Sequence, residues 1–353
     1  MITRSDQPVQ QDRLSVFQFE EEPSWQQVLR QAVTCPRELL SLLELPCELA
    51  EGARAGARLF PLRVPRPYIA RIEKGNRQDP LLLQVLPVQD EQTETPGFVP
   101  DPLGEQASNS QRGIVHKYHG RLLLLPGQAC AINCRFCFRR HFPYEDNTLD
   151  SAQWAAALDY IRQDSSVREV ILSGGDPLVQ NDRRLAWIVT QLAAIGHVER
   201  VRVHSRLPVT VPQRVTPALV SALTDSRLQA VLVVHCNHPR ELCQRVCDAM
   251  RELVEAGVTV LNQSTLLRGV NDDAAVLVEL SEALFRCRIL PYYLHLLDRV
   301  SGTAHFEVDE TRARQLLGTM SSRCSGFLVP RLAREEQGAP CKSVLPPLYP
   351  DPD

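Results

Sequence analysis

The sequence lacks several features that mark other classes of protein. Its 39 basic residues are outnumbered by 42 acidic ones, giving a formal net charge of −3, whereas proteins that bind nucleic acid are usually basic. No run of the sequence approaches the roughly 20 apolar residues of a membrane span. The first residues show no apolar stretch after a positive region, as a secretory signal would. We therefore expect a cytoplasmic protein that binds neither nucleic acid nor membranes.

Lysine is almost absent. Only Lys74, Lys117 and Lys342 are lysines, and every other basic residue is an arginine. Arginine stays protonated in proteins, whereas lysine can lose its proton and act as a nucleophile. Since this sequence uses arginine wherever a generic positive charge suffices, each lysine is a candidate for a specific chemical role.

Cysteine, by contrast, is plentiful. The chain has eleven cysteines, and without a secretory signal we expect them to be metal ligands, catalysts or core residues rather than disulfides. Cys130, Cys134 and Cys137 follow a C-x3-C-x2-C spacing. Three thiolates this close together suit a [4Fe–4S] cluster and leave one iron open to a substrate. The alternatives are a zinc site that adds His141, or three unrelated buried cysteines.

The pattern of apolar residues predicts an α/β fold. A length of 353 residues fits two domains or one large barrel with extensions. From residue 121 onward, short apolar runs alternate with amphipathic segments, which predicts parallel strands joined by helices. The predicted strands are 122–125, 169–172, 201–204, 230–235, 259–263 and 292–297. The predicted helices between them are 151–163, 182–195, 239–256 and 272–287. Six such units predict an incomplete (β/α)6-type barrel whose active site lies at the carboxyl ends of the strands.

We divide the chain into three parts. Residues 1–110 are predicted to be an N-terminal helical extension and linker, with short helices around 39–43 and 53–59. Residues 111–330 form the predicted partial barrel. Residues 331–353 form a C-terminal segment that carries Lys342.

The cysteine motif resembles that of the radical S-adenosylmethionine (SAM) superfamily. In that superfamily the pattern C-x3-C-x-aromatic-C, with Phe136 as the aromatic here, follows the first barrel strand. A glycine-rich motif at the end of the second strand contacts the methionine amino group. Ser173, Gly174, Gly175 and Asp176 occupy that position here. Glycines there allow the backbone to approach a ligand closely.

The resemblance narrows to the lysine 2,3-aminomutase family over roughly residues 110–345. The segments that carry it are 116–121, 137–140, 172–178, 212–216, 235–239, 262–272 and 291–293. Such enzymes combine the [4Fe–4S] cluster and SAM with pyridoxal 5′-phosphate (PLP), and they move an amino group to the adjacent carbon. We interpret His235 and the cysteines near it as a strand-end loop and small core residues rather than as a second metal site.

The resemblance assigns roles to individual residues. PLP needs a lysine for its linkage to the protein, and Lys342 matches the family's catalytic lysine. Arg121 and Lys117 match cations that bind the PLP phosphate. A guanidinium can grip a carboxylate with two parallel hydrogen bonds, and Arg139 matches the arginine that holds the substrate carboxylate. Two further matches, Asp298 and Glu335, are the acidic groups expected to hold the side-chain ammonium of L-lysine. For Lys117, Lys342 and Glu335 the alternative is a solvated surface charge.

The resemblance also implies a biological setting. Short bacterial members of this family make (R)-β-lysine for elongation factor P, and this chain resembles them. The implied partners are an electron donor such as flavodoxin or ferredoxin, together with elongation factor P and its lysyl-ligase. Two other readings of the sequence remain. One is a radical SAM enzyme acting on another amino acid or on RNA, and the other is a non-enzymatic iron–sulfur or zinc protein.

Overall fold

The described N-terminal part of the chain, from residue 23, forms five short α-helices. The computed structural model describes residues 23–143, 147 and 149–349, so the first 22 residues of the predicted extension and the end of the C-terminal segment lie outside it. The helices are α1 (Trp25–Arg30), α2 (Pro36–Leu42), α3 (Leu49–Leu59), α4 (Arg66–Ile69) and α5 (Pro80–Leu83). Proline begins α2 and α5, where its missing N–H has no helical partner to lose. Helices α2 to α5 enclose a hydrophobic core of their own, which also takes in Ile132, whereas the buried residues of α1 belong to the main core of the protein.

A nine-stranded sheet follows. Its strands are β1 (Ile114–Tyr118), β2 (Arg121–Gly127), β3 (Glu169–Gly174), β4 (Arg200–Ser205), β5 (Gln229–Val234), β6 (Thr259–Thr265), β7 (Leu290–His295), β8 (Arg331–Arg334) and β9 (Ser343–Val344). Neighbouring strands in the sheet are neighbours in the chain, from β1 to β9. Strands β2 to β8 are parallel, whereas β1 and β9 pair antiparallel to β2 and β8 at the two edges.

Helices connect the parallel strands. They are α6 (Ser151–Gln163), α7 (Asp182–Ala193), α8 (Leu207–Thr210), α9 (Pro217–Thr224), α10 (Gln244–Glu255), α11 (Ala274–Arg286) and α12 (Glu310–Ser321). In α7 the buried residues are Leu185, Ile188, Val189 and Leu192, the i, i+3, i+4, i+7 spacing of one apolar face. That face packs against the sheet in the main hydrophobic core. No helix of the described part of the chain is long and apolar enough to cross a membrane.

The predicted fold class is confirmed. All six predicted strands are present as β2 to β7, and the mostly parallel sheet is not closed, as in a partial barrel. The sequence did not predict β8, because only Leu332 and Ala333 of its four residues are buried and so short a run has no readable period. Pairing with β7, rather than local pattern, makes it a strand.

One expectation about the cysteines is wrong. A disulfide joins Cys247 of α10 to Cys287, the residue after α11. The two residues are 40 positions apart in the chain and their Cα atoms are 4.3 Å apart. The packing of α10 and α11 at neighbouring positions of the sheet brings them together, and their spacing in the sequence does not reveal it.

Candidate active site

The three motif cysteines lie in the loop that follows β2. The backbone N–H of Cys137 donates to the carbonyl of Cys134 at 3.0 Å, so the loop turns back on itself between these two ligands. Burial and the neighbouring thiols raise the pKa of Cys130 well above its ordinary value, and burial followed by Cys134 raises the pKa of Cys137 to about 11. Thiolates that repel one another in this way are stabilised by a bound cation, since metal ligation deprotonates a thiol outright.

The donor set of three thiolates fits a cubane cluster. Among the described residues, no three His, Cys, Asp or Glu side chains lie close enough together to bind one metal ion. A cubane cluster spreads its thiolate ligands over separate irons and does not require that convergence. The imidazole of His141 lies beside the carbonyl of Ser301, with Nε2 and O 3.2 Å apart.

The N-terminal helices hold the cysteine loop in place. Arg135, inside the cysteine motif, is fully buried and forms a two-pronged ion pair with the fully buried Glu91. Its backbone N–H donates to the carbonyl of Gln84 at 2.9 Å. Asn133 donates through Nδ2 to the carbonyl of Pro61 at 2.9 Å. The extension is therefore a platform for the loop, and losing one partner of such a buried pair typically costs about 3–5 kcal/mol.

The glycines after β3 permit close backbone packing. Gly174 has φ +113°, a conformation that favours glycine. A Cβ on Gly175 would lie 2.3 Å from the carbonyl oxygen of Gln128. The N–H of Gly175 donates to the carbonyl of Gly127 at 3.2 Å. The end of β3 thus packs directly on the start of the cysteine loop, which gives these glycines a structural role beside the predicted cofactor-binding one.

Asp176 is fully occupied by protein donors. Its Oδ1 accepts from Leu178 N at 3.0 Å and Ser205 Oγ at 2.7 Å, and its Oδ2 accepts from Arg206 N at 2.9 Å and Leu207 N at 3.0 Å. A carboxylate has about four acceptor positions, so none is left for an ammonium group. The observed role of Asp176 is to join β3 to the loop after β4, and its contact with SAM stays a prediction.

A second group of charges surrounds Glu335, which follows β8. Lys117 Nζ donates to Glu335 Oε1 at 3.0 Å, and Lys342 Nζ donates to the other oxygen. Burial raises the pKa of Glu335, but the ammonium groups of Lys342 and Lys117 outweigh it and hold that pKa at about 2. The structure therefore brings together both site lysines and Glu335, none of which is a solvated surface charge.

Asp298 lies beside this group. Burial raises its pKa to about 7, and the Glu335 carboxylate adds to the shift while Lys342 opposes it. Two carboxyl groups and two lysines thus share one region at the carboxyl ends of β7 and β8. The ammonium group of a substrate would relieve the repulsion between Asp298 and Glu335.

Arg139 is held by a residue that the sequence did not single out. Its Nε and Nη2 donate to the two oxygens of Glu105 at 2.7 and 2.8 Å, and Nη1 donates to Ser173 Oγ at 2.9 Å. Glu105 is only 3% exposed. The carboxylate of Glu105 therefore occupies the two donor positions of Arg139 that we predict bind the carboxylate of the substrate.

Three histidines at strand ends were also missed as site residues. Burial, and then nearby cations, lower the pKa of His204 well below its ordinary value, that of His235 to about 4 and that of His295 to about 3. Lys342 contributes to the shifts of His204 and His295. Gln263 Nε2 lies 3.0 Å from His235 Nε2, and since the amide nitrogen of Gln263 can only donate, the ring nitrogen of His235 accepts. Their positions at the ends of β4, β5 and β7 were the available signal.

Arg121 lies outside the group of charges around Glu335. It begins β2 and stacks over the ring of Tyr118 at 4.7 Å. Burial raises the pKa of Tyr118, and the next largest cause is Glu335, so this ring lies between Arg121 and the charged group. Arg121 also lines a surface cavity of about 510 Å³ with His119, Arg168 and Arg200, at the amino ends of the strands. Its role toward a phosphate stays a prediction.

An open parallel sheet with a three-cysteine loop after its first parallel strand defines the class of protein, which is that of the radical SAM enzymes. The model of the "Radical SAM superfamily" matches residues 124–280, from β2 into α11. A radical SAM methyltransferase from Sphaerobacter thermophilus is a distant match, with TM-score 0.44 and 18% identity, covering 61% of this chain and 66% of that one.

Comparison with curated proteins identifies the family within the radical SAM superfamily. L-lysine 2,3-aminomutase from Haemophilus influenzae is 49% identical, covering 92% of this chain and 96% of the relative. The Escherichia coli K12 protein of the same name is 51% identical, over 91% and 94%, and that of Clostridium subterminale is 34% identical, over 92% and 78%. This chain belongs to the lysine 2,3-aminomutase family. Membership implies a [4Fe–4S] cluster, SAM and PLP, and makes the protein an isomerase.

Proposed function

We propose that this protein converts L-lysine to β-lysine by moving the amino group from C2 to C3. The observation that carries the proposal is the grouping of Lys342, Glu335 and Asp298 at the strand ends. It supplies an amine for PLP and two acidic groups for a cationic side chain in one place. Identity near 50% to two proteins named L-lysine 2,3-aminomutase, over almost their whole length, supports the same substrate.

The bound groups supply the reactive chemistry. When present, the cluster and SAM provide a carbon radical, and PLP provides a conjugated ring that delocalises an unpaired electron. Cys130, Cys134 and Cys137 would hold the cluster, Phe136 and the segment Ser173–Gly175 would contact SAM, and Lys342 would hold PLP, with Lys117 and Arg121 toward its phosphate.

The chain's own residues bind and orient the substrate. Arg139 holds the substrate carboxylate near the cysteine loop, because it follows Cys137 by two residues. Asp298 and Glu335 hold the far ammonium group, and their negative charge disfavours a substrate that ends in a carboxylate. The neutral imidazoles of His235 and His295 line the same region without adding positive charge that would repel lysine.

We extend the proposal to the product and its use. Both relatives near 50% identity match this chain over 94% or more of their length, whereas the clostridial relative is longer. Identity is also higher to these two relatives, at 49% and 51%, than to the clostridial one, at 34%. That closer similarity in sequence is the support for (R)-β-lysine as the product and for elongation factor P, through its lysyl-ligase, as the destination. A flavodoxin or ferredoxin would be the electron donor. The cytoplasmic location and the division at residues 110 and 330 are likewise proposals.

The direct test is anaerobic reconstitution of the full chain with iron, sulfide and PLP, followed by reduction in the presence of SAM and L-lysine. We expect β-lysine, with chiral analysis giving the (R) form. If 5′-deoxyadenosine appears while lysine is unchanged, the substrate is another amino acid or an RNA. If neither appears and no iron is retained, the cluster assignment is wrong.

Substitution of a motif cysteine should remove the cluster. We expect C134S to retain little iron and to lose SAM cleavage completely, because two thiolates leave the cluster without a full set of ligands. The measurement is iron and sulfide content together with the visible spectrum. C47S is the matched control, since Cys47 is exposed and far from the motif in the chain, and it should keep wild-type iron content. A C134S protein that retains a wild-type cluster would contradict the ligand assignment.

Asp298 should give the reaction a pH dependence near neutrality. With a pKa of about 7, Asp298 is largely neutral at pH 6 and ionised at pH 8, whereas the lysine side chain stays protonated until about pH 10.4. Since only the carboxylate pairs with the ammonium group, kcat/KM for lysine should rise between pH 6 and 8. The charges around Asp298 are Glu335, Lys342, Glu105 and Lys117.

The control for this effect is D298N. This variant should lower kcat/KM about tenfold or more, because it loses one hydrogen bond to a charged group. It should also flatten the dependence of kcat/KM on pH between pH 6 and 8. His235 and His295 have pKa values near 4 and 3, so they do not titrate in this range. An unchanged pH midpoint in D298N would assign the titration to another group.

A further inference from the structure

We propose that Arg206 sets the reduction potential of the cluster through a hydrogen bond to the sulfur of Cys134. Arg206 directly follows β4, and its Nη1 donates to Cys134 Sγ at 2.7 Å. Its guanidinium also faces the ring of Phe136, with Cζ 5.5 Å from the ring centroid. A positive charge therefore lies against one predicted ligand of the cluster and beside the motif's aromatic residue.

Several hydrogen bonds fix the position of Arg206. The residue is only 4% exposed. Its Nη2 donates to Glu241 Oε2 at 2.9 Å and to Gln84 Oε1 at 2.6 Å, and its backbone N–H donates to Asp176. The guanidinium is thus held on the side away from the sulfur, so that Nη1 stays directed at Cys134.

Glu241 is itself fixed. It is fully buried and its Oε1 accepts from the backbone N–H groups of Asn237 at 2.9 Å and His238 at 3.1 Å and from Gln84 Nε2 at 3.2 Å. Gln84 belongs to the N-terminal extension. The same network that ties the extension to the sheet therefore also orients the cation at the sulfur.

The physical consequence follows from charge. Reduction adds an electron to the cluster, and a hydrogen bond from a cation to a ligand sulfur stabilises the more negative state. Hydrogen bonds to sulfur and local charge are among the factors that set iron–sulfur potentials. Arg206 therefore makes the cluster easier to reduce, and Glu241 moderates that effect by offsetting part of the positive charge. This inference rests on the proposed cluster ligands.

The test is an anaerobic potentiometric titration of the reconstituted full chain, with the reduced cluster followed by electron paramagnetic resonance. We expect R206Q to shift the potential to more negative values, with about a tenfold lower ratio of reduced to oxidised cluster at a fixed potential, which is about 59 mV for one electron. We expect E241Q to shift it in the opposite direction, because Arg206 loses its counter-charge. R206K keeps the charge and should lie between R206Q and the wild type.

The control variant is N133A, which removes the hydrogen bond from Asn133 Nδ2 of the cysteine loop to the carbonyl of Pro61 and changes no charge. Its potential therefore reports on loosening of the loop alone. Shifts of opposite sign in R206Q and E241Q, with N133A unchanged, support the proposal. Shifts of the same sign in R206Q, E241Q and N133A, or no shift in R206Q, overturn it. If R206Q does not assemble a cluster, the E241Q and R206K shifts decide. If the wild type itself binds no iron, the proposed function fails instead.

Discussion

Replacing Lys342 with alanine is expected to abolish the visible absorbance of protein-linked PLP and to reduce aminomutase activity to the background level. The linkage requires a primary amine, and Lys342 Nζ, which donates to the carboxylate of Glu335, is the amine that we assign to it. Without that amine, PLP could bind only non-covalently. The measurements are the absorbance spectrum and mass of the borohydride-treated protein, together with β-lysine formation.

Lys117 provides the matched control, because it reaches the other oxygen of the same carboxylate at 3.0 Å. K117A should keep the linked absorbance and bind PLP more weakly, since we assign Lys117 to the phosphate. K74A removes an exposed lysine paired with Glu44 and should match the wild type. If K117A rather than K342A loses the linkage, the two lysines exchange roles. Linkage that survives in both variants would place PLP elsewhere.

Replacing Arg139 with alanine should reduce kcat/KM for lysine about a hundredfold. Two charge-assisted hydrogen bonds to a carboxylate contribute about 3 kcal/mol or more, and R139A loses both. R139K keeps the charge but not the planar fork, so it should recover only part of the loss. Steady-state kinetics with lysine and with lysine amide, which lacks the carboxylate, checks the assignment, because R139A should affect the amide far less.

A substitution of Glu105 provides a second test of the role of Arg139. Glu105 fills the fork of Arg139 in this structure, and Gly104 before it packs against Gln337 of the loop that carries Lys342. If Arg139 binds the substrate as we propose, the substrate carboxylate must displace Glu105 from its guanidinium. We therefore expect E105Q to lower KM for lysine, the opposite direction from R139A. An increase in KM in E105Q would show that Glu105 positions Arg139 rather than competing for it.

The sequence predicted the features that depend on local pattern. Alternating apolar runs located the strands β2 to β7, and the spacing of Cys130, Cys134 and Cys137 located the loop after β2. Each of these signals is local, because the residues that make up one apolar run, or the cysteine motif, lie within a few positions of each other in the chain. The scarcity of lysine drew attention to Lys342 and Lys117, which the structure places on one carboxylate.

The missed residues act through contacts that are distant in the chain. Glu105 and Arg139 are 34 residues apart, and Arg206 and Cys134 are 72 apart. Glu105 lies in a loop without hydrophobic period, and Arg206 is one arginine among many. Only the folded sheet brings such pairs together. Arg135 shows the same limit, because nothing in the cysteine motif indicates that its partner is Glu91.

The sequential order of the sheet has a consequence for biosynthesis. Because each strand pairs with the one that precedes it in the chain, a polypeptide emerging from the ribosome can add strands one at a time to a finished edge, and chains generally fold from the N-terminus during synthesis. The loop that we propose binds iron and its helical platform are translated before the rest of the sheet. Lys342, which we propose carries the vitamin B6 coenzyme, is translated later, so on this assignment a nascent chain holds the ligands for one cofactor before it holds the lysine for the other.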